Sequence, residues 1–444
     1  LALKLDSNSR ISLSNNDSGT QNTVFGSLAG NIDAGSNYNV FIGHNVAGGS
    51  LSDATENVGV GYSALANLTT GDNNTAIGRS ALINLNTGTD NVAVGTKALE
   101  AVTDSQYNVG VGRQAAFKIT TGDKNISIGA GTLATATTAS SIVAIGHDAA
   151  YSVSASSTTS DGTVAIGNSA LNALTSGAGN VAVGFESLMT EDAGSYSTAI
   201  GHQALKVQNV DNANNVAIGY NAAVSMTTGK ENVIIGSAAA DASQDIDQAV
   251  VIGSSAMGNG NATDGADGTV AIGKLALFSL TSGSGNVAIG SSSMDSVTTG
   301  SHNTALGYLA LSNMSANSSH NTAVGRSALL NMSVNDDGNN TALGSEAGDV
   351  ITNGTKNTCI GAGTDPNTNG GTNQTVIGYG TVGQGDNTVT LGDANVTHVC
   401  LGHEGATAVA KAAGFVSNSN YSVEGYSTGR NVIRSIRLNI SPGD

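Results

Sequence analysis

Tryptophan is absent from this chain of 444 residues, proline occurs only twice, and aromatic and charged residues make up 4% and 11% of it. So little proline excludes a collagen-like or proline-rich rod. Two cysteines are too few for a disulfide framework. Cys359 and Cys400 each stand two residues before a glycine, where the chain usually carries alanine, and both are expected to be small buried hydrophobes. No run of eighteen apolar residues occurs, so no membrane-spanning helix is predicted. Basic residues are scarce as well. With 16 Lys and Arg against 33 Asp and Glu, the formal net charge is −17, which repels phosphate backbones and anionic lipids and excludes nucleic acid as a partner.

What the chain has in excess is glycine, 60 residues of it, together with enough Val, Ile, Leu and Ala to exclude a disordered polymer. The phrase Asn-Val-Ala-Ile-Gly returns along almost the whole chain. Anchored on its glycine, it recurs from Gly26 through Gly43, Gly61, Gly78 and Gly95 to Gly378 and Gly392. There are twenty-two copies, and fourteen of the twenty-one spacings are 17 residues. Exceptions run from 14 to 21, as loop insertions into one kind of coil would produce. The period predicts an all-β fold, a parallel β-solenoid (β-roll) of about 22 coils.

Columns of the repeat carry the geometry. The residue before the anchor is Ile, Val, Leu or Phe in every copy, and the residue three before it is Val, Ile or Thr. Two apart in a strand, these columns share a face and are expected to form the core stripe. The residue between them is Ala, Gly, Ser or Cys in sixteen copies. This small column, with Ala76, Ala93, Ala182, Ala217 and Ala288 as examples, is expected to face outward and to meet another chain, because a single coil covers only one of two apolar faces. After the anchor come two variable residues and then a Ser-Ala-Leu phrase, as at Ala98 and Leu99, with a further Leu three residues on; this return leg reads as a short strand or one loose turn. Glycines seven before the anchor, such as Gly71, Gly88 and Gly122, predict a positive φ at a corner. Asn stands four before the anchor in fifteen copies, which predicts a structural ladder whose amides bond the next coil's Asn or cap the corner.

The phrases Asn91-Val92-Ala93-Val94-Gly95 and Asn286-Val287-Ala288-Ile289-Gly290 resemble the head repeat of trimeric autotransporter adhesins. The longer coil with its turn at Thr69 to Asn73 is more similar to repeats in bacteriophage tail fibres and other virion fibres, as is the opening phrase Arg10 to Gly19. The resemblance covers about Asn22 to Gly392. It implies a left-handed parallel β-roll, three parallel chains in an elongated homotrimeric fibre, and attachment to a host. No heptad stalk and no alternating apolar strands of an outer-membrane anchor follow the repeats, so the fibre version leads. On this reading residues 1–21 cap or dock the first coil, 22–392 form the β-roll, and 393–444 are a non-repetitive tip or docking piece. In that last segment Ile436, Leu438 and Ile440 predict a strand, and Arg430, Arg434 and Arg437 are expected to pair with acidic neighbours.

No catalytic constellation is present. His44, His147 and His202 follow anchors several coils apart, too far for a shared metal, and the corner carboxylates Asp72, Asp90, Asp123 and Asp211 lack the spacing of a calcium-binding nonapeptide. Neither cofactor nor metal is expected. One column is chemically distinct. Immediately after the anchor stand Tyr62, Arg79, Arg113, Phe185, His202, Tyr220, Lys274, Tyr308, Arg326 and Tyr379, rings and cations suited to glycan stacking and carboxylate pairing. This column is the candidate receptor-facing surface. The expected function is that of a structural, non-enzymatic virion fibre on the virion surface, bound to copies of itself, to other virion proteins at one end and to a host glycan or protein receptor. The alternatives are the head of a bacterial surface adhesin and, more remotely, a polysaccharide-degrading solenoid.

Overall fold

A computed structural model describes residues 9–12, 19–154, 160–314, 317–333, 338–396, 421–427 and 433–440. Two compact units divide the chain, Leu1–Asp393 and Ala394–Asp444. In the second, the strands Tyr421–Ser427 and Ile433–Ile440 form an antiparallel hairpin whose register sets Arg437 opposite Glu424. The strand expected around Ile436, Leu438 and Ile440 is present. Leu13, Cys400 and Arg430 lie outside the described residues.

The first unit is the solenoid. Strand β1 (Ser9–Ser12) pairs antiparallel with β2 (Thr23–Ser27), and from β2 onward each strand pairs in parallel with its successor, as far as β23 (Val389–Leu391). Twenty-two parallel strands thus form one continuous sheet. All but the first are three residues long, and their register never slips: Val92 lies beside Val109, and Val109 beside Ile126. A 17-residue coil holds strictly like positions at like heights, which is the origin of every ladder described below.

The interior is organised opposite to the expectation from the strand pattern. Ala76, Ala93, Ala182, Ala217 and Ala288 are completely buried within their own chain, while the flanking Val and Ile columns face outward. These alanines are therefore not available to a neighbouring copy. The reason is volume. The Ser-Ala-Leu leg folds back beneath the strand, and its leucines, Leu65, Leu82 and Leu99 among them, fill the space there. A methyl group at Gly110 would already stand 2.9 Å from Leu99, so a β-branched residue has no room where the return leg carries Leu. Ile234 does fit in this column, where the preceding coil's return leg offers the smaller Ala223 in the place that Leu99 holds next to Gly110.

That return leg is a loose turn and not a strand. The Leu85 N–H donates to the Leu82 carbonyl (3.1 Å), and residues such as Ser80 and Leu82 take positive φ. Neighbouring coils are joined there by hydrogen bonds such as Leu82 N–H to Ala98 O (3.1 Å). Positive φ at the opposite corner is present at Gly177 and Gly283 (φ +121° and +135°), as expected, but Gly71, Gly88 and Gly122 lack it, and there the residues two further on, Asn73, Asp90 and Lys124, adopt it. Glycine is needed at Gly122 because a Cβ would meet the Ala139 carbonyl of the next coil at 2.0 Å. The anchors need it twice over: Gly95 has φ +137°, and a Cβ there would lie 2.4 Å from the Gly112 carbonyl oxygen.

The asparagine column forms the expected ladder, and it lies inside. Asn91, fully buried, accepts at Oδ1 from the Asn108 backbone N–H (3.0 Å), while its Nδ2 donates to Asn74 Oδ1 (3.1 Å), Thr89 O (3.0 Å) and Ser105 O (2.8 Å). Each amide thereby satisfies backbone groups of two coils that have no other route to a partner in a corner without water.

Candidate binding surface

Alternation along the strand, together with the corners beside it, leaves four outward positions on the sheet face of each coil: five, three and one before the anchor, and one after it. The middle two are apolar, except that the position three before the anchor is threonine in eight copies. Ile77, Ile200, Leu306 and Leu343 are 41%, 38%, 46% and 48% exposed. Their column, with the Val and Thr column beside it, forms a band two side chains wide along the whole sheet. The β-branched residues expected as core are thus the surface, and the face left without a cover is theirs.

Rings and charges border this band on both sides. On one side stands the column after the anchor, and all ten residues singled out in it, from Tyr62 to Tyr379, are exposed. Because the coils are in register, neighbouring rings stack. His44 lies 5.2 Å from Tyr62 at an interplanar angle of 5°, and His202 is held between Phe185 (5.1 Å) and Tyr220 (5.3 Å). Inner faces of such a stack are occupied by one another. Only the terminal faces are open to a ligand, which restricts the surface available for sugar stacking to the ends of each run.

Charged groups accompany the rings. Glu186 accepts from Lys206 Nζ (2.7 Å) and Gln203 Nε2 (2.8 Å), bonds that hold its carboxyl below the usual range. Arg326 pairs with Glu346, and Lys97 sits 5.5 Å above the Phe117 ring while bonding Glu100 (3.1 Å). Among the described residues Arg79 and Arg113 have no ion-pair partner.

The border on the other side was not singled out from sequence. Five before the anchor stand Tyr38, Tyr107 and Tyr196, each more than half exposed, and His302 stacked on His320 at 5.3 Å. The signal was available: Tyr38, Tyr107, His302 and His320 directly precede a ladder Asn, and Tyr196 precedes Ser197 at the equivalent place.

Corner carboxylates have structural work. Asp72 Oδ1 accepts from the Thr55 N–H (2.7 Å) and Asp123 Oδ1 from the Gln106 N–H (2.8 Å), each one coil away. Among the described residues no three metal-ligating side chains converge. Deeper in the wall, burial and the neighbouring Asp349 push the Asp365 carboxyl up to about 6, and burial pushes the Cys359 thiol up to about 12. Such a thiol is inert, as expected of a small core residue. Compared with known proteins, the chain matches no family model and no curated protein.

Proposed function

We propose that this chain is a structural fibre protein of the virion or phage tail-fibre kind, non-catalytic, whose copies associate side by side through the outward Val and Ile band and present the bordering rings and cations to a host. The observation that carries this reading is the band itself. In the outward column Ile42, Ile77, Ile128, Ile200, Leu306, Leu343 and Ile377 are 37–48% exposed and the equivalent residues from Ile218 to Ile289 are half-buried, a row of large apolar side chains that a second chain would cover. A second copy suits it best. Equal coil spacing lets parallel copies meet at equal height throughout, and a closed ring leaves no apolar patch behind. Three copies, left-handed coils and a place on the virion follow from the resemblance of the repeats. In such an assembly the bordering columns fall on the polar rim of the interface, next to solvent.

Twenty-one steps at the strand spacing amount to a rod of about 100 Å for the solenoid unit. Electron microscopy should show that rod, sedimentation should return a trimer mass, and the protein should be found in purified virions. A stable monomer in sedimentation removes the assembly, and absence from virions removes the location.

A further inference from the structure

Between Gly78 and Gly184 the column after the anchor alternates. Arg79, Arg113, His147 and Phe185 occupy every second coil, and the coils between them carry the shorter Thr96, Ala130 and Asn168. In-register strands place equivalent residues about 4.8 Å apart, so the four large side chains recur about every 9.6 Å along the rod, with a notch over each short residue. The floor of the notches is fixed. Backbone hydrogen bonds tie it coil to coil, Gln114 N–H to Thr96 O (3.0 Å), Gly131 N–H to Arg113 O (3.1 Å), Asp148 N–H to Ala130 O (3.0 Å) and Glu186 N–H to Asn168 O (2.9 Å). All four large side chains are exposed, and Arg79 and Arg113 lack an internal carboxylate among the described residues. His147 has the Asp148 carboxylate 3.1 Å from Nδ1. Phe185 stacks on His202 with one face and turns the other toward the short Asn168.

We infer that this stretch binds an acidic polysaccharide carrying one carboxylate on every second sugar, laid along the rod. The inference rests on reading the column as the host-facing surface. An extended β-linked glycan advances by about one coil spacing per sugar, so a carboxylate on alternate sugars recurs every two coils, in step with Arg79, Arg113 and His147. Each guanidinium takes a carboxylate through paired N–H donors, and the intervening neutral sugar settles over the short residue. At the end of the row the open face of Phe185 receives the apolar face of a sugar ring. A chain with net charge −17 offers no general attraction to polyanions, so recognition depends on the spacing of Arg79 and Arg113, with His147 the next polar side chain in the row.

The experiment measures binding of hyaluronan oligosaccharides, which alternate acidic and neutral sugars, against uncharged chitin oligosaccharides and single-stranded DNA. Hyaluronan should bind and the other two should not. Arg79→Gln with Arg113→Gln should weaken it by about tenfold or more, the loss of charge-assisted bonds. Thr96→Arg with Arg113→Thr keeps the charge but moves one cation by a coil, and should weaken binding as much. Equal binding of chitin or DNA, or full binding by either variant, overturns the inference. Rod length and mass of the same samples report on the fibre reading separately, so either can fail alone.

Discussion

Replacing Asn91 with Ala tests the ladder that holds the coils together. The substitution removes the acceptor of the Asn108 N–H and the donor to the Ser105 carbonyl, on residues only 1% and 3% exposed. Asn108 Nδ2 keeps its bonds to Ser105 Oγ (3.2 Å) and Gly122 O (2.9 Å), and Asn74 Oδ1 keeps the residue-91 N–H (3.0 Å), so two groups are left buried and unpaired. At about 1–3 kcal/mol for each, the cost is about 2–6 kcal/mol. In a solenoid each coil contacts only its neighbours, so the damage should be local and a global melting temperature is a blunt readout. Hydrogen exchange by mass spectrometry is the sharper one. Peptides spanning Thr89 to Gly112 should exchange about tenfold faster or more, and those beyond Gly201 should be unchanged. Unaltered protection around Asn108 would refute the claim that the side-chain ladder carries the corner.

Ladder gaps predict the opposite effect. Thr163 holds an Asn position with its hydroxyl buried and unpaired, and Thr163→Asn should stabilise the surrounding coils by about 1 kcal/mol, read as slower exchange there. Ala182→Asp places a carboxylate in the dry interior and should unfold its coil, seen as lost protection from Val164 to Ile200 rather than as simple loss of assembly. For Asp365 the folded pKa of about 6 exceeds its ordinary 3.8, so the folded coil holds this proton more tightly than the unfolded chain does. Stability from this group is therefore present at low pH and lost as pH rises through 6, by about 1–2 kcal/mol after discounting for its partial exposure. Asp365→Asn should abolish that slope in denaturant titrations from pH 4 to 7, and an unchanged slope would assign it elsewhere.

The coil count, the parallel register and the asparagine ladder were legible because a period repeated twenty-two times reports backbone geometry directly. Orientation of the strand was not. Val-Ala-Ile-Gly is apolar at every position, so alternation identifies two faces without saying which is inside. Size decides it, and the deciding residue lies in another part of the coil: Leu99 occupies the volume facing Gly110, so the narrow side of the strand turns inward. Similarly, Gly71 reads as a positive-φ corner from its type, whereas the constraint on it is the Gly88 carbonyl 2.3 Å from a hypothetical Cβ, a contact between coils. The ring columns were half legible. The column after the anchor stood out by composition, but Tyr38, Tyr107 and Tyr196 did not, because only the folded coil brings both columns to the borders of one band. Where Ser197 interrupts the ladder, Glu191 and Gln208 take over inside, Gln208 bonding Glu191 (2.8 Å), Ser197 (3.0 Å) and Asn215 (2.8 Å). In the sequence these two polar residues look like solvated surface.

The outward band is the centre of the account, and charges placed on it test it most directly. Ile218, Ile235 and Ile252 lie in the outward column of three consecutive coils, half-buried in the isolated chain. Ile218→Asp, Ile235→Asp and Ile252→Asp together should leave the β circular-dichroism signal of the coils intact, because none of the three fills the interior. In an assembly they would bury repeated unpaired charge, so sedimentation equilibrium should show the native chain as a trimer and the triple variant as a folded monomer. A native chain that sediments as a monomer, or a triple variant that keeps the trimer mass, would contradict the account.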